Sequence, residues 1–173
     1  MEKQLASLLA LLPQAEVLGS ADKVITDVTA DSRAVVAGSL FICLKGATVD
    51  GHKFLAMAAA KGAVAALVED VPAELPQGIT LIKVADTREA MELVTPYFYD
   101  YPGRKLRMIG VTGTNGKTTT TTIVGEMLKR LPVPSAVGGN IGLALSKEVE
   151  SLPKDGWLAA ELSSFQLEKV SSF

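Results

Sequence analysis

The segment MIGVTGTNGKTTTTTIVGEML, residues 108–128, leaves little choice of local structure. An apolar run enters a loop punctuated by Gly113 and Gly116, and Lys117 and Thr118 open a stretch of helical length. Strand, glycine loop, Gly-Lys-Thr and helix in this order describe a phosphate-binding loop. The glycines let backbone N–H groups approach phosphate oxygens, and the following helix points its positive end at them. Lys117 supplies a point charge for the outer phosphates, and the Thr118 hydroxyl is placed to bind Mg²⁺. The expected ATP contacts are therefore Gly113, Thr114, Asn115, Gly116, Lys117, Thr118 and Thr119, with Lys117 as the catalytic residue. One departure stands out: the common pattern has a glycine five residues before Gly116, where this chain has Val111. The competing reading is an Asn-Gly turn capping an ordinary helix. Thr118–Thr122 are poor helix formers, and hydroxyls facing phosphate and metal would explain at least the first two.

The rest of the chain alternates short β-rich runs with helical patterns, which indicates α/β architecture. Strands are expected at 24–29, 40–44, 64–68, 79–84, 106–111, 134–137 and 157–161. Helices are expected at 4–12, closed by Pro13, and at 53–61, stopped by Gly62, then at 87–99, 117–130 and 141–149. Asp86 is the expected N-cap of the third, with Glu89 completing a capping box. Asp100-Tyr101-Pro102-Gly103 interrupts the pattern and predicts a border between domains 1–103 and 104–173.

A net charge of −2 and a pI near 5.5 argue against a general nucleic-acid binder. Cys43 and His52 are each alone among 173 residues, which excludes a disulfide framework and a His-rich zinc site. No run approaches the ~18 apolar residues of a membrane-spanning helix, and Met1-Glu2-Lys3-Gln4 lacks a signal-peptide layout. The cytoplasm is the expected compartment.

The string GVTGTNGKTTTT (110–121) resembles the ATP loop of Mur ligases, whose version also lacks the early glycine. Asp31-Ser32-Arg33, GSLFICLKGATVDGHKF (38–54) and AAAKGAVAALVED (58–70) are similar to the N-terminal domain of the family's third-residue, diamino-acid-adding branch. The resemblance implies a small UDP-binding domain in front of an incomplete P-loop-type central domain. It places Ala30, Ser32, Ala47, Thr48 and Val49 at the uridine end of a UDP-N-acetylmuramoyl-peptide. GGNIGLALSKEVE (138–150) and WLAAELSSFQLEKVSSF (157–173) look more like the D-glutamate-adding branch: this chain has Phe165 and Asn140-Ile141-Gly142 where the third-residue branch shows a histidine and a threonine pair. A divergent natural enzyme and a hybrid both fit this mosaic. The resemblance further implies that Glu161 is the second protein ligand to Mg²⁺ and that Asn140 and Ser163 contact the muramoyl-peptide.

The implied activity is ATP-dependent amide-bond formation through an acyl phosphate, with an amino acid as second substrate. The resemblance also implies that Phe173 falls inside the central domain, so that this stretch alone is inactive and exposes sheet surface prone to self-association. Against this stand D-glutamate addition, a non-catalytic nucleotide or UDP-sugar binding fragment, and an unrelated P-loop NTPase. Among the other polar residues, Asp31 and Arg33 read as a surface ion pair, and His52 as a turn residue.

Overall fold

The structure, a computed structural model, describes residues 1–46, 49–142 and 145–168. The chain divides into two compact units, Met1–Asp100 and Tyr101–Phe173. At their junction Asp100 and Tyr101 both adopt positive φ, 56° and 49°, a conformation uncommon for non-glycine residues.

The first unit runs β1 (Lys3–Gln4), α1 (Leu5–Leu9), β2 (Glu16–Leu18), β3 (Val24–Ile25), β4 (Asp27–Thr29), β5 (Ser39–Ile42), α2 (Leu55–Ala60), β6 (Ala65–Val68), β7 (Thr80–Lys83) and α3 (Thr87–Phe98). Strands β4, β5, β6 and β7 lie parallel in that order, and β2 pairs antiparallel on the outer side of β7. All residues of β5 (SLFI) and β6 (AALV) are buried. Continuous burial is what a sheet covered on both faces requires, and it explains unbroken apolar strings rather than alternation. Within those strings the period of two survives. Leu40, Ile42, Ala65 and Leu67 pack with Leu5, Leu8, Val94 and Phe98 of α1 and α3. Phe41, Ala66 and Val68 pack with Leu55 and Ala58 of α2.

Three expectations need correction here. The helix expected over 4–12 spans only Leu5–Leu9, because Leu11 and Leu12 already donate to carbonyls three residues back, tightening the chain before Pro13. The strand expected over 24–29 breaks at Thr26, whose hydroxyl donates to Ala37 O at 3.1 Å. Its first part pairs with β1, its second with β5. The helix expected from Lys53 begins as a 3-10 turn, Gly51–Phe54, capped by the Asp50 carboxylate, and becomes α-helical only at Leu55. Asp86 does cap α3, accepting from Arg88 N and Glu89 N at 2.7 and 3.2 Å. The short strands β1 and β2 have no periodic signature, and the sequence reading missed them.

The second unit contains β8 (Arg107–Val111), α4 (Lys117–Leu128), β9 (Ser135–Gly139), α5 (Leu145–Ser151), β10 (Trp157–Glu161) and α6 (Ser164–Leu167). Its three strands are parallel in the order β8-β10-β9, so the last strand lies in the centre. Leu158, Ala159 and Ala160 are fully buried there. The helix expected over 141–149 begins only at Leu145; Leu143 and Ala144 lie outside the described residues.

Helix α4 rests on this sheet through a glycine. A Cβ built on Gly125 would lie 2.2 Å from Val137 Cγ2. Gly125→Ala, ordinarily favourable inside a helix, should therefore destabilise the second unit by about 1–3 kcal/mol through overpacking. A urea titration followed by Trp157 fluorescence measures the change.

Candidate phosphate-binding site

The loop between β8 and α4 has the local structure its glycines permit. Gly113 and Gly116 take φ of 135° and 77°, and a Cβ on either would meet nothing within 4 Å. Conformation rather than space selects glycine at both. Val111, the departure from the common motif, is the last residue of β8 and is paired in register with Glu161, while its carbonyl accepts from Leu162 N at 3.0 Å. The chain is still a strand at that position, so no glycine is needed there.

Gly116 occupies the N-cap position of α4 without a side-chain cap bond. The first-turn N–H groups, at Lys117, Thr118 and Thr119, thus keep donors and the positive helix end for a ligand. Lys117 Nζ donates to Gly113 O at 2.8 Å, so its ammonium arches over the loop. The threonine run divides into two kinds. Thr121 and Thr122 donate their hydroxyls to Lys117 O and Thr118 O, both at 2.8 Å, the i−4 back-bonding open to such residues in helices. Thr118 and Thr119 are exposed on the first turn, and among the described residues their hydroxyls bond to no protein group.

Glu161 ends the adjacent central strand. It is only 5% exposed, and its Oε2 is buried without a hydrogen-bond partner. A buried carboxylate oxygen in that state needs a cation or donor that the described protein atoms do not supply. Among the described residues no three His, Cys, Asp or Glu side chains converge on a metal position. One carboxylate, one hydroxyl and ligand phosphate oxygens suit Mg²⁺, which keeps few protein ligands. Asn140, just past β9, donates its N–H to Glu161 O at 3.1 Å, so its backbone shares this edge of the sheet. A cavity of about 600 Å³ opens beside the loop, lined by Gly113, Thr114, Lys117, Ser163, Phe165 and Glu168 among others. Ser163 stands on its rim with its hydroxyl donating to Gln166 Oε1 at 3.1 Å.

In the first unit, Ala30 follows β4 and is exposed, whereas Ser32 is buried in the turn beyond it. Val49 is exposed, and its carbonyl accepts from Gly46 N at 2.9 Å; Ala47 and Thr48 lie outside the described residues. Asp31 and Arg33 form a bidentate pair at 2.8 and 2.9 Å that holds the Asp31 carboxyl down at about 2. His52 does more than the turn role expected of it. Its Nε2 accepts from Glu69 N at 2.9 Å, so that nitrogen carries no proton, and Nδ1–H donates to Asp50.

Sequence reading missed Glu69, which follows β6. Its carboxylate accepts from Thr87 N at 3.0 Å and pairs with Lys45 at 3.0 Å. The Thr87 N–H first, then Lys45, hold its carboxyl well below the ordinary 4.5, at about 2. A depressed folded value stabilises above pH 4.5, and that stabilisation is lost as pH falls toward 2. Glu69→Gln should accordingly flatten the acid limb of the first unit's stability profile between pH 4.5 and 2, measured by urea midpoints across that range.

A parallel sheet whose first strand empties through a glycine loop into an uncapped helix, with a carboxylate closing the next strand, defines a P-loop-type α/β fold. The chain belongs to the Mur ligase family: residues 24–99 match the family model described as Mur ligase family, catalytic domain, and residues 111–172 match the Mur ligase middle domain. It is 43% identical over 121 residues to a Bacteroides fragilis protein named UDP-N-acetylmuramoyl-L-alanyl-D-glutamate--2,6-diaminopimelate ligase, covering 70% of this chain and 25% of that one. It is 52% identical over 104 residues to the Clostridioides difficile protein of the same name, covering 60% and 21%. A solved structure, also of a UDP-N-acetylmuramoyl-L-alanyl-D-glutamate--2,6-diaminopimelate ligase, superposes with a TM-score of 0.72 at 25% identity, covering 97% of this chain and 37% of that one. The chain spans about a quarter of the length of the curated relatives it matches. No helix among the described residues is long and apolar enough to cross a membrane.

Proposed function

We propose that this chain carries the nucleotide-sugar and ATP-phosphate sites of a ligase that adds a diamino acid to a UDP-N-acetylmuramoyl-dipeptide. The observation that carries the reading is the unpartnered Glu161 Oε2, which ends the strand beside a phosphate loop with an uncapped helix terminus. The names of the relatives favour the diamino acid over D-glutamate as the residue added.

In this reading the N–H groups of 113–119 bind the β-phosphate, and Lys117 exchanges Gly113 O for the transferred phosphoryl group. Thr118 Oγ and Glu161 Oε2 would hold Mg²⁺, which when bound neutralises phosphate charge. The chemistry at this site is charge compensation and positioning, with no base required of these residues. Ala30, Ser32 and Val49 would meet the uridine end of the substrate, and Asn140 and Ser163 its peptide end. Exposed Ile123 and Met127 on α4, with Leu131 just past it, support self-association.

Calorimetric titration of the chain with Mg-ATP tests the phosphate site, and silence there removes it. Residues 1–100 alone should fold, since they hold two complete core clusters of their own. Adding UDP-N-acetylmuramic acid to them should shift the amide resonances of Ala30, Ser32 and Val49 in heteronuclear NMR spectra. Unmoved resonances at all three would reject the nucleotide-sugar assignment.

A further inference from the structure

The connection from β4 to β5, residues 30–38, joins parallel strands without a helix. Crossovers of this kind ordinarily use a dozen or more residues, so this one depends on individual contacts. Some are local. Asp31 N donates to Thr29 Oγ1 at 3.1 Å, Arg33 N to Asp31 Oδ1 at 2.9 Å, and Ala34 N to Asp31 O at 2.9 Å. They shape the turn but do not tie it to the rest of the unit. The far end of the connection is tied by buried Val35, by Thr26, whose N–H and hydroxyl donate to Gly38 O and Ala37 O, and by Gly38 N, which donates to Gly62 O. The 31–33 turn itself is tied by Lys61, the residue after α2, whose Nζ donates to Ser32 O at 2.9 Å and to Arg33 O at 3.1 Å.

Three successive carbonyls, of Asp31, Ser32 and Arg33, are thereby engaged, and the peptide planes on both sides of the Ser32 Cα are fixed. Ser32 as a residue is only 9% exposed, but its hydroxyl reaches the surface, and among the described residues it bonds to no protein group. A polar group held rigid and left unpaired is suited to recognising a ligand. Helix capping does not explain Lys61: its ammonium reaches residues 28 and 29 positions away rather than the carbonyls of α2.

We propose that Lys61 is a positioning residue of the nucleotide-sugar site, holding the 31–33 turn so that the Ser32 hydroxyl meets the uridine end of the substrate. The inference rests on the reading that Ser32 faces that ligand. An ammonium bonding two carbonyls is a charge-assisted pair, stronger than neutral equivalents. Its removal frees the turn without emptying any core position.

The test uses the full chain and UDP as the probe, with dissociation constants from NMR-detected titration. Lys61→Met should raise the constant about tenfold, the scale of one charged hydrogen bond. Lys61→Gln should fall between, and Lys61→Arg, whose guanidinium can reach both carbonyls, should stay within about threefold of the unmodified chain. Mg-ATP affinity should not move in any of them. A purely structural role would lower the melting temperature without ordering UDP affinity by donor capacity. Equal constants for the unmodified chain and folded Met or Gln variants overturn the proposal alone. Absence of UDP binding by the unmodified chain overturns it together with the reading beneath it.

Discussion

Lys117→Ala should abolish measurable Mg-ATP binding while leaving the second unit folded. The side chain makes no core contact; its ammonium spans the loop to Gly113 O, an exposed bond that contributes little to stability. Its melting temperature should therefore stay within about 2 °C of the unmodified chain, since changes below ~0.5 kcal/mol shift small domains by a few degrees at most. The ligand sees a larger loss. The loop's remaining donors are neutral N–H groups, and removing a cation from a polyphosphate site forfeits the strongest bond available there. Affinity should fall by at least about a hundredfold, the upper range for a hydrogen bond to a charged group. Calorimetry with Mg-ATP, alongside a circular-dichroism melt, reads both quantities. Binding at the original strength would remove the phosphate-loop assignment. Collapse of the melt would show that Lys117 serves the fold.

Glu161→Gln should separate stability from metal dependence with opposite signs. Glu161 Oε2 is buried and, among the described residues, without a hydrogen-bond partner, so a charge there would suffer desolvation that nothing described compensates. An uncharged amide of the same shape should stabilise the free second unit at neutral pH by about 1 kcal/mol. In the proposed site the same change deprives Mg²⁺ of its carboxylate. The gain in nucleotide affinity on adding Mg²⁺ should shrink about tenfold or more, because a hard cation prefers anionic oxygen. Titrations with ATP in the presence and absence of Mg²⁺ measure that gain, and urea unfolding measures the stability. A destabilised variant with an unchanged Mg²⁺ effect would make Glu161 a structural residue with an unseen partner.

The second unit was the more legible in sequence, and its residues show why. Strand 157–161 matches β10 residue for residue, and the helix start at Lys117 was fixed by Gly116. Both are local effects: a positive-φ glycine and an apolar run act through their own backbone. The capping of α3 by Asp86 was legible for the same reason. The order β8-β10-β9 was not, because parallel pairing is decided by which strand fills the centre of the sheet, not by any pattern within a strand.

The candidate site divides along the same line. Sequence alone determined the glycine turn at Gly113–Gly116 and the helix start at Lys117, since spacing and conformational preference suffice for them. The absence of glycine at 111 was explained only by the structure, in which that residue is still paired in β8. The buried, orphaned state of Glu161 Oε2 arises from strand register and the layers around β10, and no residue near it in sequence announces it. Glu69, His52 and Lys61 belong to the same class. Each acts on a backbone segment distant in the chain: Glu69 on Thr87, His52 on Glu69, and Lys61 on Ser32 and Arg33. Local sequence determined the conformations that depend on torsional preference. Tertiary structure alone decided the contacts that depend on which segments the sheet brings together, because hydrogen bonding and desolvation act between neighbours in space.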